Sequence, residues 1–411
     1  MLWLYNISIQ LYSLALRLFS LFHPKARLLV RGRKRTFPEI ERRLDGSTKH
    51  IWFHFASLGE FEQGRPVLEM LREQHPEKPV VITFFSPSGY EVRKNYTNAE
   101  GVFYLPADTA ANARKFVRLV NPEIAVFTKY EFWYHYFSAL HARQIPLILI
   151  SCIFRPNQIY FKWYGGFSRK ILRFVSHFFI QNVESAFLLR RIKVSNLTLS
   201  GDTRFDRVAE LADTAAQIPL AARFSMGQPV LVAGSTWEAD ENLLFELVQA
   251  YPLWKFIIAP HEVGAANIGR LLKQFPDSKT FTQLQAEESV AEKLDTQVLI
   301  IDSIGMLSSL YRYGNIAYIG GGFGAGIHNT LEAAAFGLPI IFGPKYQKFQ
   351  EAKDLIKAGA AVSIHDASDL KLAFEHFIQT PEVGDIAKTY VEDNTGSTRQ
   401  ITGHLKTLLK P

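Results

Sequence analysis

Residues 317–344 contain the sequence feature that most limits how this chain can fold. They read AYIGGGFGAGIHNTLEAAAFGLPIIFGP, and five of the seven residues from Gly320 to Gly326 are glycine. The pattern predicts a short strand, a glycine-rich loop, a helix over 329–336 and a second strand at 340–342. Such a loop lets the backbone approach a ligand closely, and the start of the helix presents free N–H groups to an anion. A purely structural turn in an α/β protein has the same pattern, so spacing alone leaves both interpretations open.

Strand and helix patterns alternate along most of the chain, which places this loop in an α/β fold. Alternation of this kind predicts doubly wound parallel sheets, whose ligands bind at the carboxyl ends of the strands. With 411 residues the chain is long enough for two such domains. The predicted strands are 51–56, 80–84, 102–105, 124–128, 146–151, 178–181 and 197–200 in a first series, and 229–233, 255–259, 298–301, 316–319, 339–342 and 361–364 in a second.

Residues 202–228 lose this alternation and are rich in Ala, Asp and Pro, so the boundary between the two domains falls there. Helical patterns after residue 386 are expected to carry the tail back to the first domain. The predicted parts are an N-terminal helix at 1–24, a Rossmann-like domain at 25–207, a linker at 208–228, a second Rossmann-like domain at 229–385 and a helical tail at 386–411.

The N-terminal segment has the pattern of a helix that lies on a membrane surface. Residues 2–22 are largely apolar and form a helix of roughly 30 Å at 1.5 Å per residue. Polar residues nevertheless form a narrow stripe along one side of this helix. A spanning helix does not need such a stripe, whereas a helix that lies in the interface or docks on protein does need one. A signal peptide is disfavoured because the basic residues follow the apolar run. A spanning helix and an ordinary buried helix stay open as alternatives; the stripe consists of Asn6, Gln10, Ser13, Arg17 and Ser20.

The distribution of charge favours the same interpretation. The net charge is +7, and the excess is concentrated in residues 25–43, which hold eight Lys or Arg residues against Glu39 and Glu41. A basic cluster directly after an apolar helix is typical of a membrane-surface anchor and argues against a nucleic-acid-binding protein. The single cysteine, Cys152, excludes an intramolecular disulfide and a cysteine zinc cluster.

Eight motifs follow one another along the chain: HFASLGE (54–60), TFFSPSGYE (83–91), YLPADT (104–109), TKYEFW (128–133), GDTRFD (201–206), AGSTWEADE (233–241), APHE (259–262) and the glycine loop with HNTLEAAAFGLPIIFGP (328–344). Together they resemble a known family, the transferases of 3-deoxy-D-manno-octulosonic acid (Kdo). The resemblance covers roughly residues 1–390, and SLGE with TKYEFW is its most specific part. It implies a GT-B fold with two Rossmann-like domains facing across a cleft, a CMP-Kdo donor, a lipid A precursor (lipid IVA) as acceptor, inversion at the anomeric carbon and a site at the cytoplasmic face of the inner membrane.

The resemblance also implies three catalytic residues. Glu60 is the expected general base, which sugar transfer to a hydroxyl requires. Glu131 is expected to position substrate or to stabilise the transition state. For both glutamates the alternative is a helix-start carboxylate without a catalytic role. Arg204 stands where the family usually has lysine, and a cation there is suited to neutralise the leaving phosphate or the Kdo carboxylate.

The donor CMP-Kdo is expected to bind the second domain. There are two departures from the family pattern. His261 follows Pro260 directly where the family commonly has Pro-Arg-His, and Met306 replaces a glutamate in Gly-Glu-Leu. Phosphate binding and a helix N-cap both remain open for the strand-to-helix turn at 235–236. The expected donor-binding residues are Ser235, Thr236, Pro260, His261, Gly305, Met306, Leu307, Gly322, Asn329, Thr330, Leu331 and Glu332.

No metal or other cofactor is expected. His54, His177 and His328 lack metal-site spacing, and the chain has no Asp-x-Asp pair of the kind that holds a divalent cation in some sugar-nucleotide enzymes. Other functions stay open: a GT-B transferase using a UDP-sugar, and a non-catalytic nucleotide-binding protein at a membrane. Aromatic residues are candidates for contact with acyl chains, with core packing as the alternative; they are Phe61, Trp133, Tyr134, Tyr136 and Phe137.

Overall fold

A computed structural model describes residues 1–287 and 294–409 and divides the chain into two compact units. The first unit comprises residues 1–206 and 395–411, and the second comprises residues 207–394. Residues 288–293, inside the predicted second domain, and residues 410–411, at the end of the predicted tail, lie outside the described residues.

The first unit is built on a parallel sheet. In the described part of the chain this sheet has seven strands in the order β3-β2-β1-β4-β5-β6-β7. Strand β1 is buried along its whole length, as expected for a parallel strand covered by helices on both faces. The strands are β1 His50–Phe55, β2 Val80–Phe84, β3 Gly101–Tyr104, β4 Pro122–Thr128, β5 Leu147–Cys152, β6 His177–Ile180 and β7 Leu197–Leu199.

Helices cover both faces of this sheet. Alternate residues of β1 point to opposite faces, so Trp52 packs in one aromatic core with Phe127, whereas Phe53 and Phe55 pack in the other. A short 3-10 helix spans Ile159–Phe161. The α-helices are α1 Leu2–Phe19, α2 Pro24–Arg43, α3 Leu58–Gln74, α4 Pro87–Arg93, α5 Ala110–Val120, α6 Tyr134–Ala142, α7 Gly166–Leu172, α8 Val183–Arg191 and α9 Thr203–Thr214.

The second unit has its own parallel sheet. Over the residues that the structure describes, its strand order is β10-β11-β9-β8-β12-β13-β14. A 3-10 helix spans Tyr311–Tyr313. In chain order the elements are α10 Pro219–Ser225, β8 Val230–Thr236, α11 Glu238–Ala250, β9 Lys255–Pro260, α12 Ala265–Gln274, β10 Ser278–Thr280, α13 Phe281–Ala286, β11 Val298–Ile300, α14 Leu307–Leu310, β12 Ile316–Ile319, α15 Leu331–Ala335, β13 Ile340–Phe342, α16 Gln350–Lys357, β14 Ala361–Ser363, α17 Ala367–Gln379 and α18 Val383–Asp393.

The C-terminal helix α19, Ser397–Leu408, belongs to the first unit. Its side chains Ile401 and Leu405 are fully buried in the core that contains Phe53 and Phe55. The carboxylate of Asp206 accepts from the backbone N–H of Thr398 at 2.8 Å, which fixes the start of this helix. The tail therefore completes one face of the first sheet.

The N-terminal helix α1 turns its polar side towards the protein. The Asn6 amide oxygen accepts from Nε2 of His135 at 2.7 Å, and the Tyr5 hydroxyl donates to Asp108 at 2.5 Å. The opposite side consists of exposed large apolar residues, among them Leu14 and Leu18. No helix in residues 1–287 or 294–409 is both long and apolar enough to cross a membrane.

Three details of the sequence interpretation need correction. The basic segment 25–43 is almost entirely helical, because Ala26, Leu29, Thr36 and Ile40 bury one side of α2. The stretch interpreted as linker contains α10 and most of α9. Most of the aromatic candidates for acyl-chain contact are core residues, since Phe61, Tyr134, Tyr136 and Phe137 are at most 7% exposed.

Candidate active site

Glu60 lies in the first turn of α3, just beyond the carboxyl end of β1. Its Oε2 accepts a hydrogen bond from the backbone N–H of Ala56 at 2.7 Å, which turns the side chain back towards the strand end. Burial raises the pKa of the Glu60 carboxyl from 4.5 to about 7; the Ala56 N–H and the Lys129 ammonium oppose this rise, and the Glu131 carboxylate adds to it. A carboxylate with a pKa near 7 is well suited to take a proton at neutral pH.

Glu131 does not start a helix, as one alternative expected, but lies three residues before α6 begins at Tyr134. Two side chains hold its Oε2: Trp133 donates through Nε1–H at 2.8 Å, and Nε2 of His54 lies at 3.3 Å. The carboxylate is therefore fixed in the loop after β4 by groups from two different strand ends.

Buried hydrogen bonds hold the ring of His54 in one orientation. The indole of Trp52 donates to the Thr83 hydroxyl oxygen at 2.8 Å, and Nδ1 of His54 lies 2.8 Å from the same oxygen. Because a carboxylate only accepts, the Nε2–H of His54 donates to Glu131; in the neutral ring Nδ1 then accepts from the Thr83 hydroxyl. This role was not predicted, because His54 reads as an ordinary histidine of an apolar strand.

Arg204 is connected to the same helix as Glu60. Its Nε donates to Asp202 at 2.8 Å, and the other oxygen of Asp202 accepts from the Gln63 side chain at 2.7 Å. Gln63 follows Glu60 by almost one helical turn and therefore lies on the same side of α3. The structure thus links all three predicted catalytic residues to the carboxyl-end edge of the first sheet.

In the second unit, Asp240 ties the glycine loop to the turn after β8. This buried carboxylate accepts from the backbone N–H of Gly321 and of Trp237, each at 2.9 Å, and from the Tyr318 hydroxyl at 2.8 Å. The loop comes so close to this turn that a Cβ atom on Gly320 would lie 2.3 Å from the carbonyl oxygen of Ser235. Asp240 was not a predicted site residue, although it stands in the AGSTWEADE motif.

The predicted donor-binding residues fall at the ends of β8, β9, β11 and β12. Thr236 is buried, and its hydroxyl donates to Glu241 at 2.9 Å, so α11 begins after Trp237 without a cap from Thr236. The backbone N–H of His261, just beyond Pro260, donates to the carbonyl oxygen of Thr236 at 2.9 Å. Ser235 and His261 thus lie at adjoining strand ends, next to Gly320.

The remaining donor-binding candidates form two short turns. Gly305 has a φ of +93°, which glycine adopts without strain, and it is followed by Met306 and Leu307 at the start of α14. Asn329 donates to Glu332 at 2.9 Å and accepts from the backbone N–H of Leu331 at 3.1 Å. Burial raises the pKa of the Glu332 carboxyl. The backbone of Gly322 packs against Gly343, since a Cβ atom on Gly322 would lie 2.6 Å from the backbone of Gly343. The Thr330 hydroxyl is buried and has no hydrogen-bond partner in the described residues.

Three aromatic rings are in mutual contact beside this loop. His261 stacks on Trp237 and on His328, with ring centres 4.6 Å apart in each case. The Trp237 indole N–H donates to Nε2 of His328 at 3.3 Å. Burial and the neighbouring His261 lower the pKa of His328, so this ring stays neutral at pH 7. Among residues 1–287 and 294–409, no group of three or more His, Cys, Asp or Glu side chains is arranged to hold a metal ion.

Comparison with known proteins shows what the chain is similar to. Residues 30–207 match the family model of the 3-deoxy-D-manno-octulosonic-acid transferases (kdotransferases). A 3-deoxy-D-manno-octulosonic acid transferase from Aquifex aeolicus is 26% identical over 345 residues, which cover 82% of this chain and 88% of that protein. The chain is a glycosyltransferase that resembles the Kdo transferases over most of its length. A second Kdo transferase, from Haemophilus influenzae, is 22% identical over 378 residues, 88% of this chain and 87% of that protein.

Solved structures confirm one part of the predicted fold class, the pair of Rossmann-like domains. UDP-GlcNAc 2-epimerase from Neisseria meningitidis, bound to UDP-GlcNAc, aligns with a TM-score of 0.60 at 15% identity and covers 87% of this chain and 100% of that chain. The calicheamicin glycosyltransferase CalG4 aligns with a TM-score of 0.54 at 12% identity, over 88% of this chain and 98% of that chain. At such identities the likeness shows the fold alone, which is two Rossmann-like units of the GT-B type.

Proposed function

We propose that this chain transfers Kdo from CMP-Kdo to a hydroxyl group of a lipid A precursor, lipid IVA, during lipopolysaccharide biosynthesis. The relatives support the transferred sugar by their names. The observation that carries the chemistry is Glu60, a partly buried carboxylate at a strand end whose pKa is about 7. Few carboxylates in a protein are kept in this range, and those that are often serve in proton transfer.

In the proposed reaction Glu60 takes the proton from the acceptor hydroxyl. The hydroxyl oxygen forms a bond to the anomeric carbon of Kdo while the bond from that carbon to the CMP phosphate oxygen breaks, so the configuration inverts and CMP leaves with the electron pair. Glu131 has a fixed orientation, because Trp133 and His54 both hold its Oε2. It therefore suits a role in orienting the acceptor or in stabilising positive charge at the anomeric carbon.

The second unit is proposed to hold the donor. The turn at Ser235, the ring of His261 and the glycine loop offer backbone N–H groups and a flat surface, which suit a phosphate and a pyrimidine base. Asp240 supports this surface by its bonds to Gly321 and Trp237. Arg204, in the first unit, is proposed to neutralise negative charge on the leaving phosphate or on the Kdo carboxylate.

The first unit is proposed to rest on the cytoplasmic face of the inner membrane. Its helix α1 presents apolar side chains outwards, with Leu14 53% and Leu18 57% exposed, while Asn6 bonds to His135 on the side that faces the protein. Basic residues of α2 follow directly, as in segments that bind anionic lipid surfaces. An acylated, phosphorylated acceptor lies in the plane of such a surface.

A turnover assay tests the donor, the acceptor and the absence of a metal requirement together. CMP-Kdo and tetra-acylated lipid A precursor are incubated with the protein in the presence of EDTA, and the lipid is analysed by mass spectrometry. A gain of one or more Kdo units is the expected result, and the mass gives the number of additions. If no product forms, and UDP but not CMP raises the melting temperature, the chain is instead a GT-B transferase that uses a UDP-sugar.

A further inference from the structure

A cleft of about 290 Å³ lies between α1 and α2 on the first unit. We call it the α1–α2 cleft. Three cationic side chains line it, Arg17 from α1 and Arg33 and Lys34 from α2. No carboxylate is among its lining residues in the described chain. The other helical residues that line it are the apolar Leu16, Val30 and Phe37 and the polar Ser13 and Asn112.

Arg33 is held in a fixed position in this cleft. Its Nε–H donates to the carbonyl oxygen of Leu105 at 3.0 Å, and its guanidinium carbon lies 4.8 Å from the centre of the Phe85 ring. Burial lowers the pKa of the Arg33 guanidinium, with Tyr12 beside it acting in the opposite direction. The group is therefore preorganised by contacts that leave its positive charge without a compensating carboxylate.

The other two cations also lack a counter-charge. Within residues 1–287 and 294–409, Arg17, Arg33 and Lys34 make no ion pair within 4.0 Å. The nearby carboxylate of Asp108 lines adjoining cavities, but it is occupied by the Tyr5 hydroxyl at 2.5 Å and by the backbone N–H of Tyr136 at 3.0 Å. The cleft thus has an excess of positive charge that an anionic ligand would satisfy.

The composition of the cleft fits a phosphate group attached to a lipid. Arginine presents parallel N–H donors that match phosphate oxygens, and lysine adds a third donor group. The apolar half of the lining suits hydrocarbon next to the phosphate. The outward-facing Leu14 and Leu18 flank Arg17 on α1, so the cleft lies beside the surface that is proposed to enter the membrane.

A second contact favours the acceptor over a bulk phospholipid. The cavity that adjoins the cleft shares Arg33 with it and is also lined by Phe85 and Trp133, whose rings stack at 5.2 Å. Trp133 donates to Glu131 at 2.8 Å. Arg33 and Trp133 thus line one small cavity, which places the cleft next to the aromatic side chain that holds Glu131.

We propose that the α1–α2 cleft binds a phosphate group of the acylated acceptor through Arg17, Arg33 and Lys34. This inference rests on the proposed function, which it extends by naming a recognition site for the acceptor. It concerns residues that sequence reasoning assigned only to general membrane attraction.

The test compares the double variant R17Q/K34Q with the wild-type protein in neutral detergent micelles at saturating CMP-Kdo. The acceptors are tetra-acylated lipid A precursor with two phosphates and the same lipid after removal of one or the other phosphate. We expect the variant to raise the KM for the diphosphorylated lipid at least tenfold with little change in kcat. With one of the two monophosphorylated lipids, the KM of the wild type should rise by a similar factor. For that lipid the KM of R17Q/K34Q should be no higher than that of the wild type.

The matched control is R114Q/R118Q, which removes two exposed positive charges from α5 of the same unit and should leave KM unchanged. An unchanged KM in R17Q/K34Q, or an equal rise with every acceptor, would overturn the inference. So would a variant that loses only its binding to phosphatidylglycerol vesicles, since the cleft would then serve phospholipid headgroups. If the wild type forms no Kdo product at all, the proposed function fails instead. The proposal for the cleft is then tested by measuring the affinity for the diphosphorylated lipid directly. R17Q/K34Q should bind this lipid more weakly than the wild type.

Discussion

Replacing Glu60 by Gln should abolish transfer and at the same time stabilise the protein at alkaline pH. Glutamine keeps an oxygen that can accept from the N–H of Ala56, so the local fold is preserved. The pKa of Glu60 rises from 4.5 to about 7 on folding. The folded state therefore holds a proton that the unfolded state has lost between these pH values, and stability falls as pH rises through this window.

The magnitude follows from the size of this shift. At about 1.4 kcal/mol per pKa unit, ionisation of Glu60 costs the folded state at most about 3.5 kcal/mol above pH 8. Because the Glu60 side chain retains some contact with solvent, we expect this ionisation to lower the free energy of unfolding by about 1–2 kcal/mol. Below pH 4.5 the carboxyl is neutral in both states, so the advantage of E60Q should vanish there.

The assay is chemical denaturation of the wild type and E60Q at several pH values between 4.5 and 8.5, together with turnover. We expect a stability difference that grows from near zero to about 1–2 kcal/mol, and a rate at least about 100-fold lower, as is usual when a general base is lost. The control is E73Q, which makes the same chemical change at an exposed position on the same helix. E60Q turnover near the wild-type rate would refute the role as base, and a stability difference independent of pH would refute the raised pKa.

Three further predictions address other parts of the structure. The wild-type rate should increase as pH rises, with a midpoint near 7, because Glu60 must lose its proton before it can accept one; a flat profile from pH 5 to 8 would contradict this. D240N should weaken CMP binding about tenfold or more in calorimetry, since an amide cannot accept at both of its ends from Gly321, Trp237 and Tyr318, whereas D385N on the exposed side of α18 should not. L14S/L18S should weaken binding to anionic vesicles about tenfold, since burying even part of each leucine is worth about 1 kcal/mol; equal loss in L253S/L372S, exposed leucines of the second unit, would argue against a specific role for α1.

Most strands could be predicted because they are short, largely apolar segments bounded by turn residues. Strand β10 was missed because its sequence, Ser-Lys-Thr, has no apolar residue. The segment IWFHFA gave β1 within one residue, and VVITF gave β2 without error. Helix α2 was missed as a helix for a physical reason. Pro38 and ten charged side chains hide a narrow buried stripe, and only tertiary packing on β3 shows that this stripe exists.

The site could be predicted in its carboxylates but not in the groups that support them. Glu60 and Glu131 stand in recognisable motifs after predicted strands. The contact of His54 with Glu131 depends on the lateral pairing of β1 with β4, which the order of residues along the chain does not specify. The same holds for Asp240, whose partner Gly321 is 81 residues away in the sequence.

Backbone conformation at the strand ends gives a last, independent indication of where function lies. Lys129, Ser151 and Ser235 all have positive φ values, of 56°, 54° and 54°, although none is glycine. Such residues cost of order 1–3 kcal/mol each and persist where surrounding structure holds them for a reason. All three stand at the carboxyl ends of parallel strands, the first in the TKYEFW motif and the third in AGSTWEADE. Asn121, Gln144 and Lys193 share this conformation, but they follow helices α5, α6 and α8. Lys129, Ser151 and Ser235 differ in lying at the edge where parallel sheets bind ligands, and the buried hydrogen bond between the hydroxyls of Ser151 and Thr203 shows one means by which this strain is held.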